Sequence, residues 1–243
     1  GITQSGVRLA NERAVLTLIA GIPGVSNADI ARRSGLGPQT TARILTDLES
    51  RDLIIRGEVL RGRRGQPATP YRLNPQGGYS IGVEIGWQHV EILLQNIAGQ
   101  PIAVTRRCHD FPNPEAIFAE IAADVETLLS GLTNDQRGRV AGIGAPPCAI
   151  DAWAKIDVGP RLAEETGLPA LWVNDGSAAA WREITAHPTP RPKGLASFFV
   201  GTFVGGGVVS EGALVEGPYG NGADLGALVV HDRAGKPAYL HLT

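Results

Sequence analysis

Five glycines fall within residues 200–212, VGTFVGGGVVSEG, between two apolar stretches. Glycines at this density allow a backbone to approach another group closely, and phosphate is the group that such loops most often bind. Two interpretations follow: an enzyme that uses a nucleotide, and a protein that keeps the loop without its chemistry.

A second segment that could do chemistry is RGRRGQP at residues 61–67, whose polar side chains are Arg61, Arg63, Arg64 and Gln66. Such a cationic tip, between short strands predicted at 53–56 and 70–73, fits DNA phosphates or a narrow minor groove. The first 75 residues hold eleven arginines, no lysine and six acidic residues, a net charge of +5, whereas the remainder carries −7. Charge alone fits a solvated charged face equally well. Together with the predicted helices and strands around the tip, the asymmetry favours a local nucleic-acid contact.

Three helices are predicted before this tip. The apolar face of the first helix, within residues 11–21, consists of Ala14, Val15, Leu18 and Ile19. The second helix has Ser26 as its N-cap and ends at Gly35, and a third helix covers residues 38–54, with proline at its first position. Three helices followed by a wing form a winged helix-turn-helix domain, to which we assign residues 1–77.

The third helix has two different faces. Its buried face is predicted to consist of Thr41, Ile44, Leu45 and Leu48. Near its N-terminal end, the opposite face carries Gln39, Thr40 and Arg43. That end of a recognition helix meets base edges in the major groove, where these side chains can hydrogen-bond. Solvated polar residues are the alternative, but the wing favours double-stranded operator DNA as a partner.

Residues 78–243 follow a different pattern, in which strands come first and helices then alternate with strands. The predicted elements are strands within 79–107, a helix near 114–132, a strand at 139–146, a helix near 156–166, a strand at 170–175 and a helix from Ser177. This order indicates an α/β domain.

From its first helix to its end, the chain resembles the ROK family (repressor, open reading frame, kinase). In that family, sugar kinases and winged-helix repressors share an actin-like, ribonuclease-H-like fold. The two phosphate hairpins of the family are similar to GVEIGWQHVEI (82–92) and GTFVGGGVVSEGALVEG (201–217). Its catalytic-aspartate segment resembles WVNDGSAAAWRE (172–183), and its sugar-binding segment resembles GNGADLGALV (220–229). These motifs behind a winged helix imply the repressor branch.

Several residues depart from the kinase pattern that the resemblance implies. Glu84 and Trp87 stand where the first hairpin has aspartate and a small residue, and Phe203 replaces a glycine of the second hairpin. The large side chains fill space that a phosphate needs, and positioning supplies most of the catalysis of phosphoryl transfer. Asp224 and Ala227 stand where the family has glutamate and histidine. The resemblance therefore implies that the phosphate-binding loops are inherited but no longer bind phosphate. Their remnants are Gly86, Gly201, Thr202 and Gly205.

The resemblance makes Asp175 the counterpart of the kinases' catalytic aspartate, a general base on a sugar hydroxyl group. For Asp175 we favour a role as helix cap or ligand contact over that of catalytic base. The predicted ligand-contact residues are Asn174, Asp175 and Asp224, and the resemblance implies a sugar or sugar phosphate as the effector. The family's zinc motif, which contains histidine and several cysteines, has no counterpart in HDRAGKPAYLHLT (231–243). No cofactor and no metal are therefore predicted.

We expect a DNA-binding transcriptional regulator, a repressor by resemblance, and not an enzyme. An ATP-dependent sugar kinase with a fused winged helix, and a regulator without a small-molecule ligand, are the alternatives. The resemblance implies homodimers or dimers of dimers on palindromic half-sites. No membrane-spanning run or signal peptide is recognisable, which predicts the cytoplasm. The chain starts at Gly1, has no methionine and stops within the second lobe of the implied fold, so we expect it to be incomplete.

Overall fold

The structure is a computed structural model, and it describes residues 4–58, 69–86, 88–110, 113–145, 153, 155–187, 191–200, 204–218, 222–223 and 225–240. The chain divides into two compact units. The first unit comprises Gly1–Ser80, Leu93–Val104 and Leu128–Ala141, and the second comprises Ile81–Ile92, Thr105–Thr127 and Gly142–Thr243. The predicted division into domains 1–77 and 78–243 stays a prediction.

The first 80 residues form three helices and a small antiparallel sheet. The elements are α1 (Gln4–Gly21), β1 (Val25–Ser26), α2 (Asn27–Ser34), α3 (Pro38–Ser50), β2 (Ile54–Arg56) and β3 (Pro70–Leu73). The strands lie in the order β1-β3-β2. Both predicted wing strands are present, and the winged helix-turn-helix arrangement is confirmed. Strand β1, which pairs Val25 with Tyr71, is too short to show periodicity in the sequence.

The ends of these helices follow from local chemistry. The Ser26 hydroxyl accepts a hydrogen bond from the backbone N–H of Asp29 (3.2 Å), so it caps α2 as predicted. Gly35 ends α2 in the left-handed region (φ 71°), which glycine adopts without steric cost. Pro38 is the first residue of α3, where its missing N–H leaves no bond unmade. The turn between α2 and α3 is therefore encoded locally.

One apolar core holds the three helices and the small sheet together. Its buried members are Val15, Ile19, Val25, Ile30, Ile44, Leu45, Leu48, Ile54 and Tyr71. The predicted buried face of α3 is confirmed, including the fully buried Thr41, whose hydroxyl donates to the Gly37 carbonyl (3.2 Å). Ala14 is exposed, which corrects the predicted face of α1. The α1 face instead centres on Val15 and Ile19, with Leu16 and Leu18 at its edges.

A five-stranded mixed sheet follows, with helices in its connections. Its strands are β4 (Tyr79–Ile85), β5 (His89–Asn96), β6 (Pro101–Cys108), β7 (Val140–Ala145) and β8 (Ala170–Trp172), in the order β6-β5-β4-β7-β8. The helices are α4 (Pro114–Ser130), α5 (Asn134–Arg137) and α6 (Val158–Thr166). Every second residue of β4 and β5 is buried, as the period of a strand with one covered face requires. The α/β order predicted for this region is confirmed.

The last part of the chain pairs a helix with a glycine-rich sheet. Its elements are α7 (Asp175–Ala186), β9 (Gly194–Val200), β10 (Val204–Ser210), β11 (Ala213–Leu214), a 3₁₀ turn (Leu225–Ala227), β12 (Val229–His231) and β13 (Pro237–Tyr239). Strands β9, β10 and β11 form an antiparallel sheet in the order β11-β10-β9. Ala180 and Ile184 of α7 pack with Val209 of β10. Helix α7 begins at Asp175 and not at Ser177, because Asn174 caps it.

Candidate functional site

The predicted base-reading side chains lie on the outer face of α3. Gln39 and Arg43 are exposed and one helical turn apart, and Thr40 is half-buried beside them. Gly37 and Pro38 start the helix immediately before them. The face opposite the core therefore presents an amide, a hydroxyl and a guanidinium group, which are donors and acceptors suited to base edges and phosphates.

Four arginines of the winged helix-turn-helix region are neutralised within the protein. Arg8 and Arg51 both bind Glu12, with N–O distances of 2.8 and 3.0 Å, and both also reach Asp47. This Glu12 cluster, consisting of Arg8, Glu12, Asp47 and Arg51, joins α1 to α3. The hydrogen bond from Arg8 lowers the pKa of Glu12 below its usual value, and Arg51 lowers this pKa further. Elsewhere, Arg56 binds Glu49 and Arg32 binds Asp29.

Other arginines keep their charge available. Arg13, Arg33, Arg43 and Arg72 are exposed and make no ion pair with an acidic residue in the part of the chain that the structure describes. Arg33 lies in the last turn of α2 and Arg72 in strand β3 of the wing. Sequence reasoning missed both, since the letters alone do not show which arginine has an acidic partner. The predicted tip residues Arg61, Arg63, Arg64 and Gln66 lie outside the described residues.

The first glycine hairpin connects β4 and β5, and the ring of His89 lies against its Gly86. The backbone N–H of Gly86 donates to the His89 carbonyl (2.8 Å). A Cβ at Gly86 would lie 2.9 Å from Cε1 of the His89 ring, so a side chain at this position would displace the ring. Nε2 of His89 lies 3.5 Å from Oε1 of Glu84. No motif or spacing pointed to this role for His89, and Trp87 lies outside the described residues.

The second glycine segment is mainly a strand and not a loop. Gly205, Gly206 and Gly207 lie within β10, where they face close neighbours. A Cβ at Gly205 would lie 2.6 Å from Cε1 of the Phe199 ring, and one at Gly206 would lie 2.6 Å from Cδ1 of Leu225. The absence of side chains thus serves packing at these positions. Gly201, Thr202 and Phe203 lie outside the described residues.

The same strand is in backbone contact with the start of α7. A Cβ at Gly176 would overlap the carbonyl group of Gly206, and a Cβ at Gly207 would overlap that of Gly176. A Cβ at Gly207 would also lie 2.8 Å from Cβ of Ala180. The glycines of helix and strand therefore face one another, which brings Asn174 and Asp175 close to β10.

Asn174 and Asp175 have different roles at the start of α7. Oδ1 of Asn174 accepts from the backbone N–H of Ser177 (3.0 Å), so Asn174 is the N-cap of α7. Asp175 is the first helical residue, and its Oδ1 accepts from the N–H of Gly176 (2.7 Å). Asp175 is exposed, so its carboxylate remains accessible to a ligand. Asp224 lies outside the described residues, whereas Ala227 is exposed in the 3₁₀ turn.

Neither a metal site nor a membrane-spanning helix is present among the described residues. No group of three or more His, Cys, Asp or Glu side chains among them could hold a metal ion, so these residues do not fit the zinc site that the resemblance implies. Among the helices within the described ranges, none is both long and apolar enough to cross a membrane.

Both parts of the chain match models of known protein families. Residues 80–237 match the ROK family, and residues 8–55 match a winged helix-turn-helix DNA-binding model. The Xylose repressor of Bacillus spizizenii is 23% identical over 242 residues, which cover 93% of this chain and 62% of the repressor. The N-acetylmannosamine kinase of Citrobacter koseri is 46% identical over 122 residues, which cover 46% of this chain and 41% of the kinase.

A solved structure has a similar fold along almost the whole chain. The ROK family transcriptional regulator described as a homolog of the E. coli MLC protein superposes with a TM-score of 0.70 at 20% identity. The superposition covers 97% of this chain and 64% of that regulator. The chain thus spans less than two thirds of the length of the repressor and of the regulator. Because the family model matches more than half of its residues, the chain belongs to the ROK family.

Proposed function

We propose that the protein is a DNA-binding transcriptional repressor whose ROK domain responds to a sugar or sugar derivative. The observation that carries the proposal is the division of the arginines in the winged helix-turn-helix region. Those of the Glu12 cluster hold helices together, whereas Arg33, Arg43 and Arg72 are exposed and make no ion pair among the described residues. Positive charge left available on a recognition helix and a wing is suited to phosphates and base edges.

Within this proposal, α3 reads the major groove and the wing follows the backbone. Gln39, Thr40 and Arg43 contact bases, and Arg33 at the end of α2 contacts a phosphate. Arg61, Arg63, Arg64 and Gln66 contact the minor groove or its phosphates. We further propose that the protein works in the cytoplasm as a homodimer on two half-sites, which is the usual arrangement for a winged helix with a palindromic operator.

The effector site is proposed at the start of α7. The exposed carboxylate of Asp175 would bind a sugar hydroxyl group, with Asp224 as a further contact. The name of the Xylose repressor, which this chain resembles over 93% of its length, favours a sugar as the effector class. In a regulator without a small-molecule ligand, Asn174 and Asp175 would only stabilise the start of α7.

A sugar kinase is the second candidate, and two observations favour it. Asp175 keeps an accessible carboxylate, and 122 residues are 46% identical to an N-acetylmannosamine kinase. Against it, the ring of His89 lies against Gly86 of the first hairpin, and the ring of Phe199 lies against Gly205 of the second. Since phosphoryl transfer depends on positioning the phosphates, we propose that the protein is not an enzyme.

The test of DNA binding uses the full chain and the DNA directly upstream of its own gene. Arg43→Ala should weaken binding by about 1–3 kcal/mol and relax the preference for one base, because a base contact is lost. Arg33→Ala should weaken binding to all sequences and lower the slope of log affinity against log salt by about 1. Fluorescence anisotropy at several salt concentrations measures both changes.

Arg32→Ala is the matched control for these variants. Arg32 lies beside Arg33 on α2 but is paired with Asp29, so its loss should change DNA affinity much less. If the unaltered chain binds this DNA no better than a shuffled sequence, the proposed function is wrong. Equal effects of Arg32→Ala and Arg33→Ala would show that only net charge matters.

A further inference from the structure

The turn after the recognition helix is built on an aspartate in a conformation typical of glycine. The N–H of Leu53 donates to the Leu48 carbonyl (3.0 Å) and that of Asp52 to the Glu49 carbonyl (2.9 Å), which are the two bonds of a Schellman motif. Asp52 occupies the left-handed position (φ 57°), where a Cβ is disfavoured and glycine is the common residue. The local backbone therefore does not explain the carboxylate.

The carboxylate of Asp52 binds an arginine that is distant in the sequence. Nη2 of Arg139 donates to Oδ2 of Asp52 (3.1 Å), across 87 positions of the chain, and Nε of Arg139 donates to Oδ2 of Asp135 (3.1 Å). Arg139 immediately precedes β7, and its carbonyl accepts the N–H of Tyr79, the first residue of β4 (3.1 Å). One residue thus connects the end of α3 with the starts of two strands.

The backbone of the same turn is also held from a second side. Nδ2 of Asn74 donates to the Asp52 carbonyl (2.8 Å), and the N–H of Asn74 donates to the Leu53 carbonyl (3.0 Å). Gly77 is buried against this turn, and a Cβ there would lie 3.0 Å from Cα of Leu53 and overlap the Asp52 carbonyl oxygen. The turn therefore cannot move without the segment that leads into β4.

We propose that Asp52 and Arg139 are positioning residues for DNA recognition, which tie α3 to strands β4 and β7. A shift at the starts of these strands would move the end of α3, because Arg139 contacts both. The inference rests on the proposed DNA-binding function. It assigns a role to an ion pair that touches no DNA, since Asp52 is negative and lies at the C-terminal end of α3, away from the base-reading residues.

The test compares variants of the full chain that remove one side of the pair. Asp52→Asn keeps a residue that tolerates the left-handed region, and Asp52→Gly keeps the turn without a side chain. Arg139→Gln removes the other partner. Asp135→Asn is the matched control, because it removes the second carboxylate on Arg139 without touching the turn after α3.

Affinity is measured for the DNA upstream of the gene and for a shuffled sequence of equal length. Asp52→Asn and Arg139→Gln should each weaken binding to the upstream DNA by about 5- to 10-fold, at the lower end of the range typical of coupling between sites. Binding to the shuffled DNA should change little. Electrostatics alone predicts opposite signs, since Asp52→Asn removes a negative charge and Arg139→Gln a positive one.

The double variant distinguishes a shared link from two separate effects. Asp52→Asn/Arg139→Gln should bind the upstream DNA about as weakly as either single variant, because both remove the same contact. Tighter binding by Asp52→Asn, or losses that multiply in the double variant, would overturn the proposal. Asp135→Asn should bind like the unaltered chain, and a loss as large as that of Arg139→Gln would also overturn it.

Hydrogen exchange gives a readout that does not depend on DNA. Peptides covering residues 51–58 and 74–80 should exchange faster in Asp52→Asn and Arg139→Gln than in Asp135→Asn. Unchanged exchange in both variants would mean that the pair does not hold the turn. If the unaltered chain fails to prefer the upstream DNA, the proposed function itself is wrong, whereas a preference that survives both variants overturns only this inference.

Discussion

At the scale of the residue, contacts within the protein explain several glycines of the two hairpins and of α7. Gly86 accommodates the ring of His89, and Gly205 accommodates the ring of Phe199. Gly207 and Gly176 allow a strand and a helix to touch through their backbones. A glycine-rich segment in a sequence indicates close approach, but the group that approaches can be the protein itself.

Gly207→Ala is a direct test of this interpretation. The added methyl group would overlap the Gly176 carbonyl group, so we expect the free energy of unfolding to fall by about 1–3 kcal/mol, as in other overpacked sites. Gly82→Ala is the control, because a Cβ at Gly82 in strand β4 meets nothing within 4 Å. Urea unfolding followed by circular dichroism measures both. Equal stability of the two variants would contradict the packing explanation.

At the scale of the element, the winged helix-turn-helix region is held by its apolar core and by the Glu12 cluster between α1 and α3. Glu12 is buried and binds two arginines, whereas the exposed pair of Arg32 with Asp29 lies at the surface. A buried carboxylate with two charge-assisted hydrogen bonds contributes more to stability than an exposed pair, because water screens its interactions less. The cluster therefore joins α1 to α3.

Glu12→Gln tests the cluster and its pH dependence. The free energy of unfolding at pH 7 should fall by about 1.5–3 kcal/mol, the value for hydrogen bonds to charged groups. The pKa of Glu12 is lower in the folded than in the unfolded state, so its contribution is present above the unfolded value, about 4.3, and is lost as the pH falls through the folded value. Urea unfolding at pH 7 and at lower pH measures this loss.

Glu164→Gln is the control for the Glu12 variant. Glu164 is exposed on α6 without a recorded ion pair among the described residues, so its substitution should change stability by less than about 0.5 kcal/mol. The difference between Glu12→Gln and the unaltered chain should shrink in acid. A difference that stays constant from pH 7 to pH 3 would contradict the role given to the carboxylate.

At the scale of the whole molecule, the proposed function assigns different roles to two parts of the chain. The positive charge lies in the first third and the negative charge in the remainder, so DNA contact is proposed for the former only. The ROK region retains the exposed carboxylate of Asp175, and the rings of His89 and Phe199 lie against Gly86 and Gly205 of its two hairpins. We propose that this region binds a ligand and does not transfer a phosphate.

A kinase assay separates these two roles. With Mg-ATP and a panel of hexoses, pentoses and N-acetylhexosamines, ADP release should stay far below the turnover of about 1–100 per second that is usual for kinases. Asp175→Asn should give the same background rate. Sugar-dependent turnover that disappears in Asp175→Asn would establish the kinase and contradict the proposed regulator.

The sequence by itself determined those features that depend on neighbours along the chain. Ser26, Gly35 and Pro38 specified the ends of α2 and α3, and periodicity specified the buried face of α3, because caps and faces are set within a few residues. The order of elements and the arginine-rich tip likewise predicted the winged helix-turn-helix. Ala14 and the first residue of α7 were misplaced, because packing and the Asn174 cap decided them.

Only the tertiary structure decided which charges and glycines have partners. Arg51 binds Glu12 across 39 positions and Arg139 binds Asp52 across 87, separations at which no sequence period exists. The same holds for Gly176 and Gly207, whose need for glycine arises from two backbones that meet only after folding. A side chain's type sets what it can bind, whereas the fold brings distant partners within reach and so decides which groups remain free for DNA or a ligand.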